Sequence, residues 1–139
     1  MKYQFEIKGG DFSHAGFVSI EIKKIMQKLH LPPNFIRKVS IANYEAEVNI
    51  IAHAYEGDVS LEINTDYIKA TFSDRGPGIA SIADAMKKGF STASDKVREM
   101  GFGAGMGLPN MKKNSDRMEI QSKLNEGTIV TLCYDIPMG

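Results

Sequence analysis

The chain has 139 residues, enough for one domain with a sizeable hydrophobic core and too few for two ordinary domains. Its 17 basic and 17 acidic side chains cancel and no basic block stands out, so nucleic acid and membrane surfaces are poor candidates as partners. No apolar run approaches the roughly 20 residues of a transmembrane helix, and no signal-peptide pattern opens the chain, so we expect a cytoplasmic protein. Cys133 is the only cysteine, which excludes an internal disulfide and a cysteine-cluster metal site.

A strand and then an amphipathic helix are predicted for the N-terminal part of the chain. Residues 2–8 alternate polar and apolar side chains, as an edge strand or a dimer contact would. Apolar side chains recur at helical spacing over residues 13–31. The predicted buried face of this helix consists of Phe17, Ile20 or Ile22, Ile25, Met26 and Leu29.

A second, longer helix is predicted to begin at Pro32-Pro33 and to run to about Tyr55, before Gly57. Its predicted core stripe consists of Phe35, Val39, Ala42, Ala46 and Ile50. Glu45 and Asn49 are four residues apart and His53 is one turn further, so the three share a face beside this stripe. Polar side chains usually stay exposed. A carboxylate and an amide so close to a buried face therefore suggest a function that another element must complete.

The middle of the chain predicts an antiparallel hairpin, because two alternating segments flank the polar turn Asn64-Thr65-Asp66. The second strand ends in the sequence Asp74-Arg75-Gly76-Pro77-Gly78-Ile79. This sequence places a carboxylate at the rim of the sheet, with open backbone beside it. The same residues are good turn formers, so an ordinary turn also explains them.

Residues 101–111 are unusual because four glycines at alternate positions lead into a helix with Pro109 near its start. Glycine lets backbone N–H groups approach a ligand closely, so such a loop suits phosphate groups. It lacks the Gly-Lys-Ser/Thr ending of a P-loop and lies too late in the chain for a dinucleotide-binding βαβ unit. Before it, residues 81–90 predict a short helix, and the polar residues 91–100 predict a mobile flap leading into the glycine loop.

Residues 118–124 and 128–136 alternate around Asn125-Glu126-Gly127 and predict a second hairpin. The order of elements is then strand, two helices, hairpin, helix, flap, helix and hairpin. This order predicts an α+β fold, a two-layer sandwich of helices on a mostly antiparallel mixed sheet. No repeat, linker or low-complexity segment interrupts it, so we expect residues 1–139 to form a single domain.

Three of these segments, in this order and at this spacing, resemble the nucleotide-binding boxes of the GHKL ATPase superfamily. Glu45-x-x-x-Asn49 with His53 is similar to the N box, and Asp74-x-Gly76-x-Gly78-Ile79 is similar to the first glycine box. Gly103-x-Gly105-x-Gly107-Leu108 is similar to the second glycine box, and Gly127-Thr128 matches the threonine that completes the site. The small size, residues 89–92 and residues 101–113 resemble more specifically the anti-sigma factor serine/threonine kinases of the short switch type.

The resemblance implies a Bergerat-type ATP-binding domain and a role for each matched residue. Asp74 would accept the adenine amino group, with Thr128 assisting through water, while Asn49 would hold Mg²⁺ and Glu45 would be the general base. The other nucleotide-binding positions that the resemblance implies are His53, Gly76, Gly78, Ile79, Gly101, Gly103, Gly105, Met106, Gly107 and Leu108. Mg²⁺ prefers hard oxygen ligands and keeps several waters, so one amide oxygen with phosphate oxygens makes a suitable shell.

The implied cofactors are ATP and Mg²⁺, and the implied phospho-acceptor is a small antagonist protein of the STAS fold. A sigma factor or a phosphatase is a further partner that the resemblance suggests, and a homodimer is expected from the family and from the apolar first strand. Three functions stay open: a serine/threonine kinase, a histidine-kinase-like ATP-binding domain, and a nucleotide-gated binding protein with little turnover. Glu45 favours the first, because a serine hydroxyl must lose a proton to attack phosphorus whereas a neutral imidazole need not. Arg75 and Arg98 could meet phosphate, but exposed arginines are common and we expect both to be surface charges.

Overall fold

The computed structural model describes residues 1–87 and 107–137. The first half of the chain forms strand β1 (Lys2–Lys8), a 3-10 turn (Phe12–His14), helix α1 (Phe17–Lys28), helix α2 (Pro33–His53) and strands β2 (Glu56–Ile63) and β3 (Tyr67–Arg75). The second half forms the short helices α3 (Ile82–Ala85) and α4 (Gly107–Lys113) and strands β4 (Arg117–Lys123) and β5 (Gly127–Asp135). The predicted flap and the glycine loop before Gly107 lie outside the described residues.

The five strands form one sheet in the order β1-β2-β3-β5-β4, and each pairing of these strands is antiparallel. Both predicted hairpins are present, as β2–β3 and β4–β5. Alternate side chains of the central strands are buried and share one hydrophobic core with α1 and α2. The predicted α+β fold with helices layered on a mostly antiparallel sheet is therefore confirmed, and its described strands include no parallel pair.

Helix α2 supplies the centre of the core. All five residues of its predicted stripe are buried: Phe35, Val39, Ala42, Ala46 and Ile50. Burying an aliphatic or aromatic side chain contributes about 1.5–3 kcal/mol. The helix ends at His53 rather than near Tyr55, because Ala54 is extended and the Tyr55 N–H donates to the Arg75 carbonyl across the sheet. The helix therefore ends at the point where the backbone of residue 55 begins to pair with the end of β3.

The prediction for α1 is partly wrong. Gly16 has a φ of +94°, a left-handed conformation that separates the 3-10 turn from the helix, so α1 begins only at Phe17. The side chains that face the core include Val18, Ile22 and Met26, one turn apart. Phe17 and Leu29 were expected on the buried face and are 59% and 37% exposed, and of the two alternatives Ile20 and Ile22 only Ile22 is buried. Apolar residues lie on more than one side of α1, so helical spacing alone did not identify the side that packs.

The remaining differences concern short elements. Helix α3 spans Ile82–Ala85 instead of residues 81–90, although the last residues of that prediction are not described. Helix α4 begins at Gly107, two residues before Pro109. None of the helices in residues 1–87 and 107–137 combines the length and hydrophobicity needed to cross a membrane.

Candidate functional site

Glu45, Asn49 and His53 form a line along α2, and all three are half-buried. Glu45 lies next to the start of α4. The Asn110 side-chain amide donates a long hydrogen bond of 3.5 Å to Glu45 Oε1, and a Cβ built at Gly107 would lie 3.5 Å from Glu45 Oε2. The structure thus brings Glu45 together with Gly107, the last glycine of the predicted loop.

Burial shifts the pKa values of the two titratable residues of this line, Glu45 and His53. It raises the pKa of Glu45 above the usual glutamate value, and the Asn110 hydrogen bond offsets only part of this increase. A carboxylate with a raised pKa is a better proton acceptor near neutral pH than an ordinary glutamate. Burial also lowers the pKa of His53, so its imidazole is neutral at pH 7.

Asp74 lies near the end of β3, where the backbone N–H of Thr128 on β5 donates to its Oδ1 at 3.0 Å. Burial raises the pKa of this carboxyl group, while the hydrogen bond from Thr128 and the charge of Arg75 act in the opposite direction. Arg75 itself is exposed and forms ion pairs with Glu56 and Asp58. Its side chain is a surface charge, as expected.

The turn after Asp74 packs closely against two other elements. A Cβ at Gly76 would lie 2.9 Å from Ala54 Cα, so the turn contacts the end of α2 directly after His53. Gly78 has a φ of +77°, and a Cβ there would lie 2.5 Å from the Lys123 carbonyl oxygen. These glycines therefore allow the turn to fit between α2 and the β4–β5 hairpin. The predicted positions Asp74 and Gly76 therefore lie beside Ala54, the residue that follows His53 at the end of α2.

Ser122 links the turn to Thr128. The Ile79 N–H donates to Ser122 Oγ at 2.7 Å, and Ser122 Oγ lies 2.9 Å from Thr128 Oγ1. Gly127, just before Thr128, has a φ of +149°, and a Cβ there would lie 2.0 Å from the Asp74 carbonyl oxygen. Only glycine permits this approach. Ile79, Thr128 and Asp74 are thus held in one hydrogen-bonded cluster.

A cavity of about 350 Å³ lies against this cluster on the side of the sheet that faces away from the helices, because its lining includes the cross-strand neighbours Ser73, Ile129 and Gln121, each next in sequence to a core-facing residue. That volume lies within the usual range for small-molecule sites. Along α2, Glu45 and His53 are eight residues, or about 12 Å, apart. The half-buried line on α2 therefore leads from the Asp74 turn to the start of α4, which suits an elongated ligand bound at both ends.

Most of the predicted site residues that can be located are brought together. Two groups are visible: Glu45 with Gly107 at the start of α4, and Asp74, Gly76, Gly78, Ile79 and Thr128 around the β3 turn. Asn49 and His53 lie on α2 between them, and Leu108 is buried in the core. Four of the predicted positions are outside the described residues: Gly101, Gly103, Gly105 and Met106. Arg98, which was expected to be a surface charge, is also outside them.

Two residues of the site were missed by the sequence analysis. Asn110 follows Gly107 by three residues, so its position on the first turn of α4 was a usable signal. Ser122 had no such signal for its contact with Ile79, which depends on how the turn packs on the second hairpin, whereas Thr128 is its direct cross-strand neighbour.

Comparison with known proteins identifies the family. Residues 14–134 match the model of the histidine kinase-like ATPase domain. The chain is 29% identical over 125 residues to an anti-sigma F factor of Anoxybacillus flavithermus, covering 86% of this chain and 82% of the relative. It is 33% identical over 95 residues to the serine/threonine-protein kinase RsbT of Bacillus subtilis, covering 66% of this chain and 65% of the relative.

Solved structures show the same fold at low identity. The RsbU and RsbW domains of a Mycobacterium tuberculosis protein give a TM-score of 0.66 at 14% identity, over 99% of this chain and 33% of that chain. The SiaB–SiaC complex of Pseudomonas aeruginosa gives a TM-score of 0.59 at 13% identity, over 96% of this chain and 89% of the matched chain. The family match covers most of the chain, and its members share the fold described above. This protein therefore belongs to the GHKL-like family of histidine kinase-like ATPase domains, together with anti-sigma F factors and the RsbT kinase.

Proposed function

We propose that this protein is an ATP-dependent serine/threonine protein kinase of an anti-sigma regulatory system, and that its phospho-acceptor is a small STAS-fold antagonist protein. The observation that carries the proposal is the state of Glu45. This carboxylate is half-buried, has a raised pKa, and is held only by one long hydrogen bond from Asn110 among the described residues. Its oxygens therefore retain the capacity to accept a proton from a hydroxyl group.

The residues present suit a nucleotide. Asp74 Oδ1 accepts the Thr128 N–H, and its other oxygen is available to accept the adenine amino group. Asn49, one turn from Glu45, offers an amide oxygen of the kind that Mg²⁺ takes beside waters and phosphate oxygens. When bound, ATP with Mg²⁺ would supply the phosphoryl group and neutralise its developing charge.

The chain's own residues would then position and deprotonate the acceptor. Glu45 would accept the proton of the serine or threonine hydroxyl as the hydroxyl oxygen bonds to the γ-phosphorus and the bond from that phosphorus to the ADP leaving group breaks. The Asn110 amide holds the Glu45 carboxylate toward α4 during this step. Gly107 lacks a side chain that would crowd Glu45 Oε2. The names of the relatives support this reading, since one of them is called a serine/threonine-protein kinase and others anti-sigma F factors.

The test compares Glu45→Gln with Asn49→Ala. Transfer of labelled γ-phosphate to purified STAS-fold proteins is measured beside the affinity for a fluorescent ATP analogue. We expect Glu45→Gln to lower transfer by roughly 10²-fold or more with little loss of nucleotide affinity, because a general base acts in the transition state. Asn49→Ala should weaken Mg²⁺-dependent binding and transfer together. Glu119→Gln, an exposed glutamate on β4, is the matched control.

Each alternative has its own result. Transfer to a histidine and not to serine or threonine would favour a histidine-kinase-like domain. Binding of a partner that depends on ATP, without any phosphoryl transfer, would favour a nucleotide-gated binding protein. Wild-type rates in Glu45→Gln would remove the general-base role.

A further inference from the structure

Helices α1 and α2 leave a groove of about 910 Å³ between the C-terminal half of α1 and the outer side of α2. Its apolar lining includes Leu31, Ile36, Ile41 and Tyr44, and Glu45 lies among the lining residues. Ile41 and Tyr44 are 38% and 39% exposed. The groove is therefore an open apolar surface that reaches the proposed general base.

The charges of the groove are asymmetric. Lys23 and Arg37 line it, and both are exposed. Neither forms an ion pair with any described residue, whereas the neighbouring Lys24 pairs with Glu21. Among the described residues that line the groove, Glu45 is the only carboxylate. Two unpaired cations beside an apolar floor favour a partner that carries both acidic and apolar side chains.

We propose that this groove binds an acidic, amphipathic helical segment of the phospho-acceptor protein, with acidic side chains against Lys23 and Arg37 and the accepting hydroxyl against Glu45. The proposal rests on the proposed kinase function. An acidic side chain beside Glu45 would be repelled, so this end of the groove must receive a neutral group such as a hydroxyl. Arg37 and Glu45 are eight residues apart on α2, so the acidic side chain and the hydroxyl should be about 12 Å apart.

The length of the groove fits a short helix. Its lining residues on α2 run from Pro33 to Glu45, a rise of about 18 Å. This corresponds to roughly three helical turns of a bound segment. Apolar side chains on one face of that segment would cover Ile36, Ile41 and Tyr44, as in other complexes in which a helix lies in an apolar groove.

The experiment reverses the charge at both cationic residues of the groove. The variant Lys23→Glu/Arg37→Glu is compared with Lys38→Glu, which changes an exposed lysine next to Arg37 that does not line the groove. Circular dichroism and ATP-analogue binding confirm that each variant is folded. With a STAS-fold acceptor, the double variant should raise the KM for the acceptor by about ten-fold or more and change kcat much less, since each surface pair contributes up to about a factor of five. Lys38→Glu should leave both constants unchanged.

A second measurement needs no acceptor. A fluorescein-labelled 16-residue amphipathic peptide with glutamates on its polar face is compared with the same peptide carrying lysines. The wild type should bind the acidic peptide about ten-fold more tightly, and the double variant should prefer the basic one.

If no STAS-fold protein is phosphorylated by the wild type but this preference is found, the kinase proposal fails and the charge preference of the groove stands. Equal binding of the two peptides, or equal behaviour of the double variant and Lys38→Glu, would overturn the groove proposal. So would dissociation of a wild-type dimer in the double variant by sedimentation, because a second copy would then occupy the groove.

Discussion

Replacing Glu47 should destabilise the fold far more than replacing Glu45, although the two glutamates lie two residues apart on α2. Glu47 is only 1% exposed, and its carboxylate caps the start of α1. Its Oε2 accepts the N–H groups of Gly16 and Val18 at 3.0 and 3.1 Å. Its Oε1 accepts the Ser19 N–H at 2.9 Å and the Ser19 hydroxyl at 2.7 Å. The N–H groups in the first turn of a helix have no acceptor within the helix. A carboxylate at this position accepts their hydrogen bonds and also interacts favourably with the positive end of the helix dipole.

The magnitude follows from what a substitution leaves unpaired. Glu47→Ala would bury three N–H groups without acceptors, each costing about 1–3 kcal/mol, and relaxation makes the sum smaller than three separate losses. A total of about 3–4 kcal/mol is expected, a large part of the 5–15 kcal/mol that stabilises a typical domain. Glu47→Gln should be nearly as severe. One amide oxygen can still accept the Ser19 groups, but the NH₂ group then faces the N–H groups of Gly16 and Val18, which are also donors.

Urea unfolding followed by circular dichroism at pH 7 measures the effect, with the slope m used to check that the unfolded surface is unchanged. Ser19→Ala should cost about 1 kcal/mol, because it removes one hydroxyl bond and leaves the capping intact. Glu45→Gln is the matched control and should change the free energy of unfolding by less than about 1 kcal/mol, since glutamine still accepts the Asn110 bond. A Glu47→Gln protein within about 1 kcal/mol of the wild type would refute the capping argument.

Two further predictions concern the candidate site. Asp74→Asn should bind ATP ten-fold or more weakly by calorimetry, because its NH₂ group would face the adenine amino group. The Asp74→Asn protein should nevertheless be at least as stable as the wild type at pH 7. Burial raises the pKa of Asp74, so the neutral acid stabilises the folded state at low pH and this contribution is lost as pH rises through that pKa. Asparagine stays neutral at every pH and avoids this loss. A clear loss of stability at pH 7, or unchanged affinity, would contradict this. For Glu45, single-turnover transfer should increase with pH through a pKa above the usual glutamate value, and Asn110→Ala should move this limb to higher pH, because the Asn110 bond lowers the pKa. A limb at the same pH in Asn110→Ala would show that Asn110 does not hold the catalytic carboxylate.

Much of this architecture could be predicted from the sequence because burial imposes simple periods. The alternation in β2, β3 and β5 and the stripe on α2 each follow one face that packs against the core. The turn at Asp74 was predictable for another reason, since Gly76 and Gly78 occupy positions where the structure leaves no space for a Cβ. At these positions, the residue types that favour the local structure are also the ones that the packing of the whole fold requires.

The start and face of α1 could not be predicted in the same way. They depend on Glu47, a residue of a different helix, which binds the N–H groups at the start of α1, and on the left-handed backbone of Gly16. The apolar residues Phe17 and Ile20 then remain outside the core. Ser122 was missed for a similar reason, because one of its partners, Ile79, lies in a turn more than forty positions away in the chain. Such contacts between distant residues leave no periodic signal.

The contrast between Glu45 and Glu47 shows how structural and reactive carboxylates can be separated in this fold. Both lie on α2 and both are at least half-buried, so neither type nor burial distinguishes them. What differs is the number of donors: Glu47 accepts four hydrogen bonds, while Glu45 accepts one long bond from Asn110 among the described residues. A carboxylate whose lone pairs are all used has nothing to offer a ligand. One that is desolvated but sparsely bonded keeps a raised pKa and a free oxygen, which are the properties a proton acceptor needs. Asp74, with a raised pKa and one hydrogen bond from Thr128, meets the same criterion, which places both ends of the proposed nucleotide site at the carboxylates that the fold leaves unsatisfied.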